Sequence, residues 1–290
     1  MSEKKSLPRS LVIGPMKAGT TWIQEYLDWR GDVCLPNKVK ETFFFDRYYA
    51  RGDDWYARRF AHFDPSRHTS IIEVAPSLFH DPDAPARVHE SLGPVPLVVM
   101  RRDPVARAWS HYQHMRRKGY TTAPLAEAVE AFPGIVTASR HDEMMERWRS
   151  ALPDAAITVL EMEDLRGDRE KFVAMLCGAL DLPVLDAPDD LQASNAAGVP
   201  KSYLVARIGS LTANTLRASG AYGVVNLAKK AGLKNVFFGK PSTAEQRVVP
   251  TEEERAFLIE RVGARPDGVV RLAKEPGEDS ASFASDRSDQ

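Results

Sequence analysis

The segment from Leu11 to Trp22 constrains the fold more than any other part of the chain. Its sequence, LVIGPMKAGTTW, is an apolar run, a glycine-bearing loop with one lysine, and a helix start with two threonines. Gly14 and Gly19 allow the backbone to turn tightly. The N–H groups of such a loop, and of the helix behind it, carry partial positive charge toward one point. The segment therefore predicts a strand, an oxyanion-binding loop and a helix.

The side chains of this loop suit the same purpose. Lys17 supplies a point charge, and the hydroxyls of Thr20 and Thr21 are hydrogen-bond donors. The loop is not a Walker A motif, because that motif places its lysine after the second glycine, whereas Lys17 precedes Gly19. The alternative for the loop alone is an ordinary strand–turn–helix with an incidental lysine.

Short apolar runs alternate with helical segments along the chain, which predicts an α/β fold with a central parallel sheet and helices on both faces. The predicted strands are Ser10–Gly14, Thr69–Val74, Val95–Arg101 and Ala155–Glu161. The predicted helices are Thr20–Arg30, Pro82–Leu92, Pro104–Arg117, Ser139–Leu152 and Arg169–Leu180. Asp103 before Pro104 is a typical capping residue followed by a proline at the first helical position.

We expect one domain over residues 1–274. Its pattern loosens over residues 183–250, which we interpret as a cap or insertion with helical stretches near Tyr203–Leu211 and Val224–Ala231. Thr251, followed by three glutamates, is the predicted cap of a last helix. The polar tail over residues 275–290 is predicted to be disordered.

Composition excludes several classes of partner. The chain has 39 lysines and arginines against 40 acidic residues, a net charge of −1, so it presents no bulk positive field for nucleic acid or an anionic membrane. The apolar run Leu11–Ile13 is too short for a signal peptide, and no run is long enough to span a membrane. Cys34 and Cys177 have no metal-site or disulfide-framework spacing, so we expect a reduced, cytoplasmic protein.

Two motifs resemble one known family. The segment GPMKAGTTW resembles the 5′-phosphosulfate loop of sulfotransferases that use 3′-phosphoadenosine 5′-phosphosulfate (PAPS). The segment VMRRDPVARAWSHY, from Val99 to Tyr112, resembles the same family's 3′-phosphate motif, and the likeness continues to about Leu182. The resemblance implies a P-loop-like fold with PAPS as co-substrate. The residues implied to hold the 5′-phosphosulfate are Lys17, Ala18, Gly19, Thr20 and Thr21.

The second motif also has a physical rationale of its own. Arg102 ends a predicted strand and Ser110 lies about two turns into the next helix, so a guanidinium and a hydroxyl can converge on the 3′-phosphate. The alternative is that Arg102 pairs with a carboxylate such as Asp103. One arginine per motif usually suffices to bind a phosphate, so the alternative for Arg101 and Arg107 is a solvated side chain. Trp22 either stacks on the adenine, as in some relatives, or is buried in the core.

The segment from Lys38 to Asp46 contains a candidate general base. In KVKETFFFD, from Lys38 to Asp46, a Lys–Glu pair adjoins three phenylalanines, and desolvation there raises the pKa of a carboxyl toward neutral. The segment resembles the KE-x-x-FF-D stretch of the carbohydrate sulfotransferase branch, whose glutamate is the catalytic base, and Glu41 matches it. The alternative is a surface Lys–Glu pair.

A third segment resembles the same branch but departs from it. Glu73 to Phe79 resembles its E-K-S-P-x-Y-F segment, with Val74 in place of the lysine and Leu78 in place of the tyrosine. The lysine lies near the acceptor in that branch, so its loss places a polysaccharide acceptor in doubt and favours a smaller one. Residues 183–250 are expected on the acceptor side.

The expected function is transfer of a sulfuryl group from PAPS to a hydroxyl of a small or medium-sized acceptor, such as a natural product, glycan or glycolipid. Glu41 takes the acceptor proton and Lys17 neutralises the charge that develops on the bridging oxygen. We expect no metal, since His111 and His114 have no third ligand near them in sequence. Two alternatives are a P-loop-like nucleotide kinase, with acids after the Ile157–Glu161 strand, and a non-catalytic nucleotide-binding protein.

Overall fold

The computed structural model describes residues 6–189, 191 and 249–263. Nearly all of the predicted cap over residues 183–250 lies outside the described residues, including its two helical stretches. The tail over residues 275–290 also lies outside them. The extent of the single domain therefore stays a prediction.

The predicted parallel sheet is confirmed, with one strand more than expected. Its strands are β1 (Ser10–Gly14), β2 (Val33–Cys34), β3 (Ser70–Val74), β4 (Leu97–Arg101) and β5 (Ile157–Glu161). The strand order is β2-β3-β1-β4-β5 and every pair is parallel. Sequence analysis missed β2 because two residues are too short for an alternating pattern. Strands β4 and β5 each begin two residues later than predicted.

The five predicted helices are present, with ends shifted by at most two residues. They are α1 (Thr20–Arg30), α3 (Ala84–Leu92), α4 (Pro104–Arg117), α7 (His141–Ala151) and α9 (Arg169–Ala179). Thr251 caps α10 (Glu252–Val262) as predicted, in a capping box with Glu254. Short helices that the pattern did not indicate are α2 (Gly52–Ala57), α5 (Leu125–Ala131), α6 (Gly134–Thr137) and α8 (Met162–Gly167).

Alternate residues of the strands face two different helical layers, as the pleat of a strand requires. Val12 packs in the cluster formed with α1 and α9, whereas Leu11 and Ile13 pack in the cluster formed with α3 and α7. A third cluster joins α4 to α10 through residues such as Trp109 and Leu258. The result is a three-layer α/β/α arrangement in which both sheet faces are buried.

Two findings bear on the protein's setting. Within the described part of the chain, no helix combines the length and apolar character needed to cross a bilayer. Cys34 and Cys177 are both buried free thiols. The cytoplasmic location stays a prediction.

The strand order creates one position where ligands bind in folds of this kind. Strands β1 and β4 are neighbours at the middle of the sheet. The chain that leaves β1 goes to β2 and β3 on one side of this pair, and the chain that leaves β4 goes to β5 on the other side. Such a switch point opens a crevice at the carboxyl ends of the two strands. The loop over residues 15–19 follows β1, and Arg102 follows β4, so both lie at this crevice.

Candidate active site

The loop after β1 is held in a conformation that few residues adopt. Gly14, Lys17 and Gly19 have φ values of 112°, 72° and 98°. A Cβ on Gly14 would lie 2.6 Å from the carbonyl oxygen of Pro76, so the chain here tolerates glycine alone. A lysine in the left-handed region is unusual and occurs mainly at functional sites. The loop therefore presents Lys17 and the start of α1 toward the crevice.

Lys17 lies in a concentration of positive charge. Burial, first of all, and then the nearby cations lower its pKa to about 8. Those cations, in order of effect, are Arg117, Arg102, Lys118 and Lys40. Like charges that crowd one point are costly unless an anion neutralises them. The arrangement fits a group with several negative charges, such as a phosphosulfate.

Two arginines from the second motif bind the backbone of this loop. Nη1 of Arg102 donates to the carbonyl oxygen of Lys17 at 2.8 Å, and Nη1 of Arg107 donates to that of Met16 at 3.1 Å. Arg107 also donates to the carbonyl oxygen of Ile135 and, at 2.5 Å, to the hydroxyl of Ser139.

Of the alternatives for Arg101 and Arg107, the structure does not show the solvated one: Arg107 is buried and Arg101 is half-buried. Arg107 is fully buried, and its hydrogen bonds to the carbonyl oxygens of Met16 and Ile135 replace those to water. Burial, followed by the charge of Arg102, lowers the pKa of Arg107 to about 9. Arg101 forms an ion pair with Glu161 at the end of β5.

The remaining residues predicted to bind the donor lie around the same loop. Ala18 and Thr20 are buried, Gly19 and Thr21 are half-buried, and Ser110 is half-buried in α4. Trp22 is 3% exposed, stacks on Tyr26 with ring centres 5.4 Å apart, and donates its indole N–H to the carbonyl oxygen of Leu191. These contacts give Trp22 a place in the core, and its stacking on an adenine stays a prediction.

Glu41 lies on the other side of the loop from Arg102. Its Oε1 accepts hydrogen bonds from the backbone N–H of Ser77 at 3.1 Å and from the Ser77 hydroxyl at 2.6 Å. Ser77 follows Pro76, which contacts Gly14, so these bonds hold the carboxyl at the end of β3 next to the anion loop. The side chain is half-buried, but its carboxyl is enclosed by protein.

The environment of Glu41 makes it a much weaker acid than usual. Desolvation is the largest cause, and it raises the pKa of Glu41 to about 8 even though Ser77 stabilises the ionised form. The nearby carboxyls of Glu73 and Asp46 contribute a smaller part of this increase. Such a carboxyl has the basicity that proton abstraction near neutral pH requires.

Glu73 is a buried support for this segment. It is 1% exposed, and its two oxygens accept hydrogen bonds of 2.6 Å from the backbone N–H of Thr42 and from the hydroxyl of Tyr56. Thr42 follows Glu41, so Glu73 fixes the backbone that carries the candidate base. Val74 and Leu78, the two departures from the branch pattern, are both buried in the core.

Three residues of the site were not found by sequence analysis as site residues: Lys40, Ser77 and Arg107. Nζ of Lys40 lies 3.0 Å from Oγ1 of Thr21 in the first turn of α1. Lys40 was interpreted only as the partner of Glu41 in a charged pair. Nothing local to Ser77 distinguishes it from another serine, since its contact with Glu41 spans 36 positions in the chain.

The acidic and histidine side chains do not form a metal centre within the part of the chain that the structure describes. Nδ1 of His111 lies 3.2 Å from the carbonyl oxygen of Gly134. Burial lowers the pKa of both His111 and His114 to about 3. Glu161, the first of the acids considered for a kinase's magnesium, ends an edge strand separated from β1 by β4 and pairs with Arg101.

Fold and site together define an α/β domain with a P-loop-like loop, a cationic crevice and a weakly acidic carboxyl beside it. The sulfotransferase domain model matches residues 7–195, and the chain belongs to this family. The relatives that it resembles in sequence include heparan sulfate sulfotransferases.

Two relatives and one solved structure illustrate the likeness. A membrane-associated sulfotransferase of Dictyostelium discoideum is 36% identical over 107 residues, 37% of this chain and 22% of that protein. A human heparan sulfate glucosamine 3-O-sulfotransferase is 37% identical over 111 residues, 38% of this chain and 27% of that protein. The matches thus span about a quarter of each relative. A sulfotransferase structure from Alicyclobacillus acidocaldarius has the same fold, with a TM-score of 0.54, 19% identity, and coverage of 66% of this chain and 90% of that one.

Proposed function

We propose that this protein transfers a sulfuryl group from PAPS to a hydroxyl of a small or medium-sized acceptor. One observation carries the proposal: the sheet places Glu41 and Arg102 on opposite sides of the loop that presents Lys17. A base for the acceptor then lies on one side of Lys17 and cations for the donor lie on the other. An in-line displacement needs this arrangement.

The donor would be held by the crevice after β1 and β4. Lys17, Thr20, Thr21 and the N–H groups of Ala18 and Gly19 suit the 5′-phosphosulfate, because together they offer charge, hydroxyls and the positive end of α1. Arg102 and Ser110 suit the 3′-phosphate. The depressed pKa of Lys17 supports this assignment, since it reflects cations that a nucleotide with several negative charges would neutralise.

Glu41 would act on the acceptor. As the acceptor oxygen forms its bond to sulfur, the bond between sulfur and the 5′-phosphate oxygen breaks, and Glu41 accepts the acceptor's proton. Lys17 neutralises the charge that appears on the departing phosphate oxygen. The hydrogen bonds from Ser77 hold the carboxylate in position for this step.

The family and the departures in the E-K-S-P-like segment support a proposal for the acceptor class. Relatives in the carbohydrate branch favour a sugar hydroxyl. Val74, buried in β3, brings no cation to the acceptor side where that branch has a lysine. We therefore propose a glycan, glycolipid or natural product of modest size rather than a highly anionic polysaccharide.

Two measurements test the proposal. The thermal unfolding temperature should rise with 3′,5′-diphosphoadenosine in the absence of magnesium, whereas a kinase would be stabilised by ATP with magnesium. Mass spectrometry of PAPS incubated with a cell extract and the protein should then reveal a metabolite that has gained one sulfate. Stabilisation by ATP and magnesium alone would contradict the proposal. Binding of 3′,5′-diphosphoadenosine with no sulfated product from any extract would favour a non-catalytic binder.

A further inference from the structure

Lys40 reaches from the segment before Glu41 to the first turn of α1. Its Nζ lies 3.0 Å from Oγ1 of Thr21. Lys40 is an exposed residue, and an exposed lysine ordinarily extends its ammonium group into water. Burial therefore does not impose this contact. Lys38, with φ at 64°, turns the backbone just ahead of it.

The contact sets the direction of the Thr21 hydroxyl. An ammonium group has donors and no acceptor, so Lys40 donates and the oxygen of Thr21 accepts. The hydroxyl hydrogen of Thr21 is then left for another acceptor. Thr21 lies in the first turn of α1, the end of the helix that attracts anions. A hydroxyl that accepts from a cation is polarised, and it donates more strongly to an anion.

The charge of Lys40 also acts on the loop itself. It is one of the four cations that lower the pKa of Lys17. Lys40 lies on the segment of Glu41, outside the two motifs predicted to bind the donor. The donor loop therefore receives positive charge from the segment that carries the candidate base. Because Lys40 directly precedes Glu41, a ligand held by Thr21 and Lys40 also restrains the backbone next to the carboxyl.

We propose that Lys40 is a positioning residue for the donor nucleotide. It orients the Thr21 hydroxyl toward the 5′-phosphate and adds its charge to that of Lys17 as negative charge collects on this phosphate. This inference rests on the proposed function, because it takes the ligand of the loop to be the 5′-phosphate of an adenine nucleotide.

A double-mutant cycle on nucleotide binding tests the inference without an acceptor. Calorimetric titration would compare the unmodified protein, Lys40→Met, Thr21→Val and the double variant, each with 3′,5′-diphosphoadenosine and with adenosine 3′-phosphate. We expect Lys40→Met to weaken binding of 3′,5′-diphosphoadenosine by about 3- to 10-fold, the range for one hydrogen bond. Binding of adenosine 3′-phosphate, which has no 5′-phosphate, should not change. The loss in the double variant should be smaller than the sum of the two single losses, since part of the effect of Lys40 acts through that hydroxyl.

Two further variants separate this role from general effects of charge and folding. Lys38→Met removes the same charge two positions earlier and should bind both nucleotides normally. Lys40→Arg retains a donor and should restore most of the affinity. In Lys40→Met the pKa of Lys17 should rise, so the proton uptake that accompanies nucleotide binding should move to higher pH. Should Lys40→Met unfold, Lys40→Ala also removes both the charge and the donor and provides the same comparison.

Additive losses in the cycle, equal losses for the two nucleotides, or the same loss in Lys38→Met would each overturn the role of Lys40. These results leave the proposed function intact as long as the unmodified protein binds 3′,5′-diphosphoadenosine. Failure of the unmodified protein to bind that nucleotide would overturn the proposed function and this inference together.

Discussion

The hydroxyl of Ser77 donates a hydrogen bond of 2.6 Å to Oε1 of Glu41. It joins the residue that follows Pro76 at the end of β3 to a segment that precedes β3 by about thirty positions. A hydroxyl donor stabilises the ionised carboxylate, so it lowers a pKa that burial would otherwise raise still further. Ser77 thereby adjusts the basicity of the candidate catalytic group.

Substitution Ser77→Ala should shift the pH dependence of the reaction. Without the hydroxyl donor, the pKa of Glu41 should move above its value of about 8, and the acidic limb of kcat/KM should move to higher pH. The measurement is a pH–rate profile with the identified acceptor. Binding of 3′,5′-diphosphoadenosine provides the control and should be unchanged. An unmoved limb would show that Ser77 does not adjust Glu41.

Substitution Glu41→Gln should remove most turnover and leave nucleotide binding intact. General-base catalysis contributes about 10²–10⁴-fold, and an alcohol acceptor needs it because its own proton is not acidic. The measurement is kcat, with calorimetry on 3′,5′-diphosphoadenosine as control. Near-normal turnover would contradict the assignment and direct attention to Glu73, His111 or His114, although burial lowers the pKa of both histidines to about 3.

The same substitution should change how stability depends on pH. The pKa of Glu41 is raised on folding from its ordinary 4.5 to about 8, so its contribution to stability is present below pH 4.5 and is lost as pH rises toward 8. Glutamine does not ionise. The free energy of unfolding of Glu41→Gln, relative to the unmodified protein, should therefore increase between pH 5 and pH 9 in urea titrations. A difference that does not vary with pH would contradict the raised pKa.

Substitution Lys17→Ala should lower kcat more than it weakens nucleotide binding, because the charge is needed most when the bridging oxygen becomes anionic. In the unmodified protein, nucleotide binding above pH 8 should take up a proton, since the bound anion restores the depressed pKa of Lys17. Calorimetry in buffers of different ionisation enthalpy measures this uptake. Lys17→Ala should abolish it. Equal losses in binding and kcat would mean that Lys17 only holds the nucleotide.

Substitution Arg102→Ala should weaken binding of PAPS by about 1.5–3 kcal/mol, the scale of a hydrogen bond to a charged group. Adenosine 5′-phosphosulfate has no 3′-phosphate, and its affinity should change much less. Ser110→Ala is the matched variant, because it leaves the bond from Arg102 to the carbonyl of Lys17 in place. If both variants weakened the two nucleotides alike, neither residue would recognise the 3′-phosphate.

Much of the fold could be predicted because its signals are local. The apolar run of β1, the glycines and lysine behind it, and the caps at Asp103 and Thr251 each act within a few residues. The cap at Thr251 and four of the five strands are therefore confirmed close to their predicted ends. Strand β2 was missed, since two residues are too few to show the alternation of a strand. They form a strand only through their pairing with β3.

In the candidate site, too, local motifs were predicted and contacts between distant residues were not. The order of residues in the loop and in the β4–α4 motif was sufficient to predict a donor site at Lys17 and Arg102, because each motif is contiguous. The sequence pattern left the place of Arg107 open, whereas the structure buries it against the carbonyl oxygens of Met16 and Ile135.

The sequence by itself determined the parallel α/β fold and the glycine-bearing loop after β1, because local periodicity and backbone freedom follow from the order of residues. Only the tertiary structure decided which distant side chains meet at that loop. The order β3-β1-β4 brings Ser77 and Glu41 to one side of it and Arg102 to the other. Contacts such as that of Lys40 with Thr21 depend on strand order and on the exclusion of water, and neither is a property of a short stretch of chain.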